Sequence, residues 1–426
     1  MVSGVNRTEL AAGPVRPVRP VRPPRPVSRR AAWTFTSQGL SSASNFLLTF
    51  LVLAAAPARE LAAFSVCLTS YLLVAQLARY AVGIPLLVSG EEGEPGHRAA
   101  AGVAVAAGLA VAPALVAAAS VWPPGAGMLV ILAAAMPALL LQEALRHAAI
   151  GRGRPDLAAR GDGLWLALQA VGAVALLAGA DAPAAAELVA VWAGAGALSA
   201  VCLAGWLRAR PALGVEPGRA WLRENVVVCR RAAGEFAVNS GSYYVLCYVL
   251  SGLAGAAQLG YLRAAQTLFG PASVVLLGGA SLGVPESVRL RDDGRRLRRF
   301  ALALSGGLAA LALVCGAAVY AALPATGARF FPESWEAIRS IMPWLTLFGA
   351  AIGAGAGAVA GLRALGASRW VLVGRGVTGA AALAAGLPAS AWFGARGTFA
   401  GLGLAECGLA VWAWRELRRR TGGRHG

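Results

Sequence analysis

Apolar residues in this chain neither alternate nor form one-sided stripes. They run in unbroken blocks of about twenty residues, separated by short polar gaps. Crossing ~30 Å of hydrocarbon takes about 20 apolar residues of helix, so each block predicts one membrane-spanning helix. Six blocks cover 33–56, 61–88, 99–121, 128–145, 164–180 and 188–207, and six more cover 232–253, 259–284, 300–323, 338–362, 370–389 and 399–414. The pattern therefore predicts an all-α integral membrane protein with twelve transmembrane helices and both termini on one side. The divisions that follow are a Pro/Arg-rich tail at 1–32, an N-terminal six-helix bundle at 33–210 and a linker at 211–231. A C-terminal six-helix bundle at 232–417 and a short tail at 418–426 complete the chain.

Charge orients this arrangement. Of the 38 basic residues all are arginine, and they concentrate in alternate gaps. Short cytoplasmic loops carry the positive excess. The tail before Trp33 holds seven arginines, the gap from Arg146 to Arg160 four, 208–231 six, 289–299 six and 415–426 five, with Arg363 and Arg369 flanking a further gap. The intervening gaps hold Arg59, Arg329 with Arg339, and Arg396. Both termini are placed in the cytoplasm and the chain in the cell membrane. The gap around Glu91, Glu92 and Glu94 is acidic, but acidic residues weigh little in this rule.

The net charge of +18 does not indicate nucleic acid, because the arginines are dispersed among loops and no nucleic-acid-binding pattern accompanies them. The Pro-Val-Arg repeat between Val15 and Pro26 reads as an extended, disordered cytoplasmic arm that tethers to anionic membrane lipid or to a partner enzyme, or is a solvated tail that simply enforces topology. Cys67, Cys202, Cys229, Cys247, Cys315 and Cys407 lie in or beside apolar blocks without a Cys-x-x-Cys pair and read as small hydrophobes. His97, His147 and His425 give no metal-ligand spacing. No cofactor motif, metal site or catalytic signature is present, and the short outer gaps argue against a membrane glycosyltransferase. The chain reads as a non-enzyme.

The two halves share a weak internal repeat. Phe64 pairs with Tyr261, Gly83-Ile84-Pro85 with Gly283-Val284-Pro285, and Arg146 with its following Gly151 and Arg152 resembles Arg363 with Gly366 and Arg369. Six-span halves face the same way, which predicts a parallel repeat with a cavity between two bundles, the geometry of an alternating-access carrier. Pro85, Pro113, Pro137, Pro271, Pro285, Pro343 and Pro388 each remove a backbone donor and can bend a helix. Gly349, Gly353, Gly357 and Gly361 form a small-residue stripe suited to close helix packing.

Charges within the spans are the candidate functional residues, because each costs about 2.5 to 3.5 kcal/mol at a helix centre on insertion scales. Arg79, with Gln76 one turn before it, and Arg263 are the first candidates for substrate contact, followed by Arg375. Arginine's planar fork engages phosphate oxygens at two points. Glu406 and Glu235 are candidates for ion coupling or for internal pairing, for example Arg375 with Glu406.

Several of these segments resemble the bacterial polysaccharide flippases of O-antigen type, in the superfamily that also holds multidrug exporters and lipid II flippases. The likeness lies in Ser37-Gln38-Gly39-Leu40-Ser41-Ser42-Ala43-Ser44-Asn45-Phe46 and in the stretch Gly260 to Pro271. It continues in Glu143 to Arg146 with Gly151-Arg152-Gly153-Arg154-Pro155, in Asp162 to Trp165, and in Gly361-Leu362-Arg363-Ala364-Leu365-Gly366. The chain departs from the family where Ala56-Pro57 stands in place of the glycine turn after the first span, while Gly260 is kept in the second half. The resemblance implies transport of a polyprenyl-diphosphate-linked oligosaccharide from the inner to the outer leaflet for polysaccharide biosynthesis, with a polysaccharide polymerase and glycosyltransferases as possible partners. The residues themselves leave two alternatives open: a cation-coupled small-molecule (multidrug) exporter using Glu406 or Glu235, and a non-transporting membrane scaffold of a polysaccharide assembly complex.

Overall fold

The computed structural model describes residues 29–88, 94–179, 183–330 and 334–422. The Pro-Val-Arg arm, most of the acidic gap and His425 lie outside them. The described chain is all-helical. Its first half contains α1 (Arg29–Ala55), α2 (Ala58–Ala78), α3 (Ile84–Val88), α4 (Glu94–Val121), α5 (Ala126–Gly151), α6 (Pro155–Leu177) and α7 (Ala185–Leu207). The second contains α8 (Val215–Phe236), α9 (Ser242–Leu253), α10 (Ala256–Leu268), α11 (Gly270–Arg289), α12 (Gly294–Phe330), α13 (Trp335–Ala364) and α14 (Ser368–Gly422).

Eight helical segments among the described residues are long and apolar enough to cross a membrane. Their outward faces are apolar: Val174, Val201, Leu302, Val314, Val377 and Leu404 are all more than 60% exposed. In the window that qualifies 294–321 only 22% of residues are buried within the protein. Such a surface is stable only against lipid. α14 enters the count of eight once, yet it folds back on itself at Gly394, whose φ of 58° no side-chain-bearing residue adopts readily. The hydroxyls of Ser390 and Thr398 lie 2.8 Å apart across this hairpin.

The sequence pattern also marks where the other helices break. The 259–284 block divides at Phe269 because Pro271 cannot donate to the preceding turn and instead opens α11. Pro113, Pro137, Pro343 and Pro388 lie inside continuous helices. The turn after α1 is tight without glycine: α1 ends at Ala55 and α2 starts at Ala58, with Pro57 in extended conformation as its cap. In the second half the turn glycine is Gly255, at φ 90°. Gly260 instead lies inside α10, where a Cβ would come within 3.3 Å of Leu61.

Packing sorts the helices into two groups. α1 packs on α6, α4 on α5 and α5 on α7; α12 packs on α13, α13 on α14 and α9 on α14. The glycine stripe on α13 lets α12 approach closely, since a Cβ on Gly353 would lie 2.6 Å from the Ala309 backbone nitrogen. The groups meet chiefly through α2 and α10, where Leu61, Phe64, Leu259 and Leu262 are fully buried. Tyr248 and Ser70 share a hydrogen bond of 2.9 Å across the same seam.

Candidate functional site

Two irregular turns shape the space beside that seam. After α2 the helix widens into a π-helical turn, Arg79–Gly83, ahead of Pro85. Proline lacks the N–H that would bond the carbonyl four residues back, and that carbonyl, Ala81, accepts instead from the Cys229 thiol on α8 at 3.2 Å. A second π-helical turn, Ala237–Gly241, joins α8 to α9. Such turns aim neighbouring side chains off the regular helical register and recur at functional sites.

Between the two groups lies a cavity of about 770 Å³, within the range of small-molecule sites. Gln76 and Tyr80 reach it from the first half. The second half supplies Glu235, Tyr243, Tyr244 and Gln266, the apolar Phe348, Ile352 and Leu402, and the charged Arg363, Arg375 and Glu406. Arg363 ends α13, Arg375 lies two turns into α14 and Glu235 lies in the last turn of α8. All three adjoin arginine-rich gaps, so the cavity faces the end where those gaps lie. The opposite end is filled by the α2–α10 packing.

The lining holds two arginines and two glutamates. Arg375 donates to Glu406 at 2.8 Å across the α14 hairpin, so one arginine is neutralised locally. Arg363 is exposed to the cavity. Gln76 presents a buried amide oxygen with no hydrogen-bond partner.

Arg263 is one side chain behind the wall. It is buried, and its Nε donates to Thr69 Oγ1 at 3.0 Å while Nη1 reaches Gln266 Oε1 at 3.3 Å. Its guanidinium also sits 5.6 Å from the Tyr243 ring centre, inside cation–π range. Its Nη2 has no partner. No carboxylate within the described residues pairs with it, although Gln266 and Tyr243 both face the cavity.

Arg79 lies differently. Its Nε donates to Glu143 Oε1 at 2.7 Å, and Glu143 also holds Arg146 at 2.8 Å. Asp162 extends the cluster: it is 3.9 Å from Arg146, accepts from Gln142 at 2.9 Å and from Ser37 at 2.5 Å. Two arginines thus face two carboxylates in a network that ties α1, α5 and α6 to the π-helical turn. Arg146, which the sequence assigns to a cytoplasmic gap, is 3% exposed and belongs to this network. Glu143 and Asp162 carry the negative charge of this network and are not among the candidate residues read from the sequence. Their one signal is position, at the inner ends of apolar blocks and within segments resembling the flippases.

No family model matches the chain, and no curated protein matches it. Solved structures do. The inward-facing conformation of a multidrug resistance MATE family transporter of the MOP superfamily is 14% identical with a TM-score of 0.70, covering 91% of this chain and 98% of that one. The lipid II flippase MurJ in an inward closed conformation is 10% identical with a TM-score of 0.69, covering 90% and 86%. A MOP superfamily transporter from Pyrococcus furiosus, described as having a binding pocket of reverse polarity, is 14% identical with a TM-score of 0.58, covering 93% and 95%. The fold is therefore that of the MOP superfamily transporters. At these identities the likeness extends to the fold alone.

Proposed function

We propose that this protein is a twelve-span membrane transporter that flips a polyprenyl-diphosphate-linked oligosaccharide from the inner to the outer leaflet by alternating access. The observation that carries the reading is Arg263, a buried guanidinium with an unpartnered Nη2 and no opposing carboxylate among the described residues, directly behind a cavity that also exposes Arg363. A buried cation without a counter-ion is costly, and an arriving diphosphate would supply the missing charge and acceptors. Arg363 and Arg375 would hold the headgroup near the cavity mouth, with Gln76, Gln266 and the tyrosines bonding sugar hydroxyls. Arg79 is outside the lining and held by Glu143, but its side chain is partly exposed next to Tyr80, and it would be a further contact from the first half. The better match to the inward-facing transporter (0.70) than to an outward-facing one (0.60) and the packed α2–α10 seam support a state open to the cytoplasm, ready to load.

Glu235 and Glu406 in the lining favour one competing reading, a cation-coupled exporter of small organic cations. Deleting the protein, or replacing it with Arg263→Gln at normal protein level, is expected to leave glycan-loaded polyprenyl diphosphate on the inner leaflet. Undiminished delivery to the outer leaflet in both strains would refute the flippase reading.

A further inference from the structure

The linker between the two halves is not an unstructured connection. Residues 215–236 form α8, which is long enough to cross a membrane but too polar and too charged to be counted among the membrane-crossing segments. Trp221, Asn225, Ala232 and Phe236, spaced four, seven and four residues apart, give it one buried face that rests on α4, α3 and the Arg79–Gly83 turn. The opposite face is exposed and of mixed character. Val215, Leu222, Val226 and Val227 are 67%, 41%, 43% and 55% exposed, while Arg219, Arg223 and Arg230 follow one another at helical spacing along the same flank and are exposed as well. None of these arginines pairs with a carboxylate among the described residues.

Water alone accounts poorly for four exposed aliphatic side chains beside three unpaired arginines on two adjoining strips. A membrane surface accounts for both. The aliphatic strip enters the acyl boundary, and the arginines, whose stems are apolar and whose heads are charged, reach sideways to headgroup phosphates. We propose that α8 lies in the cytoplasmic membrane interface and that Arg219, Arg223 and Arg230 form a docking surface for anionic phospholipid headgroups. Charge complementarity selects this occupant: the cytoplasmic leaflet carries a negative surface potential that attracts basic segments. The inference rests on the membrane topology of the proposed transporter, but not on its substrate.

The surface is not mechanically isolated. Cys229 bonds Ala81 in the first π-helical turn, Phe236 packs on Tyr80 at 5.5 Å, and Glu235 lines the cavity. Lipid seated on α8 therefore bears on both turns that shape the site.

The test uses the full-length protein in nanodiscs of phosphatidylcholine with about a third phosphatidylglycerol carrying a photoactivatable headgroup. Cross-linked peptides from 215–230 are expected to dominate, and cross-links confined to other segments would overturn the proposal. Retention of phosphatidylglycerol by purified protein is then compared between the triple variant R219Q/R223Q/R230Q and a control triple, R295Q/R296Q/R299Q, that removes equal charge from another gap. The first should lose at least tenfold more affinity than the second, and R219K/R223K/R230K should restore it. Equal losses in the two glutamine triples, or no loss, would overturn it. The wild-type cross-links decide the matter if the glutamine triple does not fold. Failed transport with cross-links intact would count against the flippase reading and leave this surface standing.

Discussion

Two groups of arginines in this protein have opposite surroundings. In the first half Arg79 and Arg146 face Glu143 and Asp162, and every charge has an opposing partner within 4 Å. At the seam Arg263 has, among the described residues, a hydroxyl, an amide and an aromatic face but no carboxylate. Arg146 and Arg263 are both buried, so between them the counter-ions make the difference. A matched network holds helices together, because removing one member strands the others in low dielectric. An unmatched cation costs the fold stability and leaves binding capacity that an anionic ligand can use.

The sharpest way to break this contrast is Glu143→Gln. It leaves Arg79 and Arg146 without their shared carboxylate, and the expected cost is roughly 3 to 5 kcal/mol, seen as a large fall in unfolding temperature and in yield. A small change would mean that the network does not hold the first half together. Arg263→Gln should behave in the opposite sense, with stability unchanged or raised and flipping activity down by at least tenfold, about 1.4 kcal/mol or more in the transport step. Parallel losses of stability and activity would make Arg263 another structural charge. Arg363→Gln comes next in size, a several-fold loss of headgroup affinity with stability within about 0.5 kcal/mol.

The smallest effect lies outside the membrane. Asp293 caps α12 by accepting from the backbone N–H groups of Arg296 and Arg295, and those bonds hold its carboxyl below the usual carboxylate range. A depressed pKa means that the stabilisation is present at neutral pH and disappears as pH falls through the folded-state value. Asp293→Ala should therefore lower the unfolding temperature slightly at pH 7 and not at all once the native carboxyl is protonated. A difference independent of pH would rule out the charged cap.

Much of this architecture was legible in the sequence because lipid imposes so direct a rule. A run of apolar residues must be helical, since backbone groups have no other partner in hydrocarbon, and Pro271 and the glycine stripe marked a helix break and a close contact correctly. Electrostatic partnership was less legible. Arg79 and Glu143 are 64 residues apart, and nothing local to either shows that they meet. Arg375 and Glu406 were weighed as a pair because they sit on consecutive helices, and they do pair. Arg363 was read as a loop charge since it ends an apolar block, while the fold turns that end toward the cavity. The linker was read by its arginines, which concealed the helical spacing of Trp221, Asn225 and Phe236. The π-helical turns left no sequence signal beyond Pro85, because a widened turn depends on tertiary contacts rather than on local residue pattern.

Arg263, unmatched among the described residues behind the cavity wall, is proposed to make the cavity a site for an anionic lipid headgroup. Equilibrium binding to the purified, full-length protein tests it most directly, with polyprenyl diphosphate and the lipophilic cation tetraphenylphosphonium measured side by side for wild type and Arg263→Gln. Saturable binding of the diphosphate, weakened at least tenfold by the substitution, with no saturable binding of the cation, is the predicted result. Binding of the cation in preference to the diphosphate, unaffected at Arg263 and lost in Glu406→Gln, would contradict the account and assign the cavity to a cation exporter.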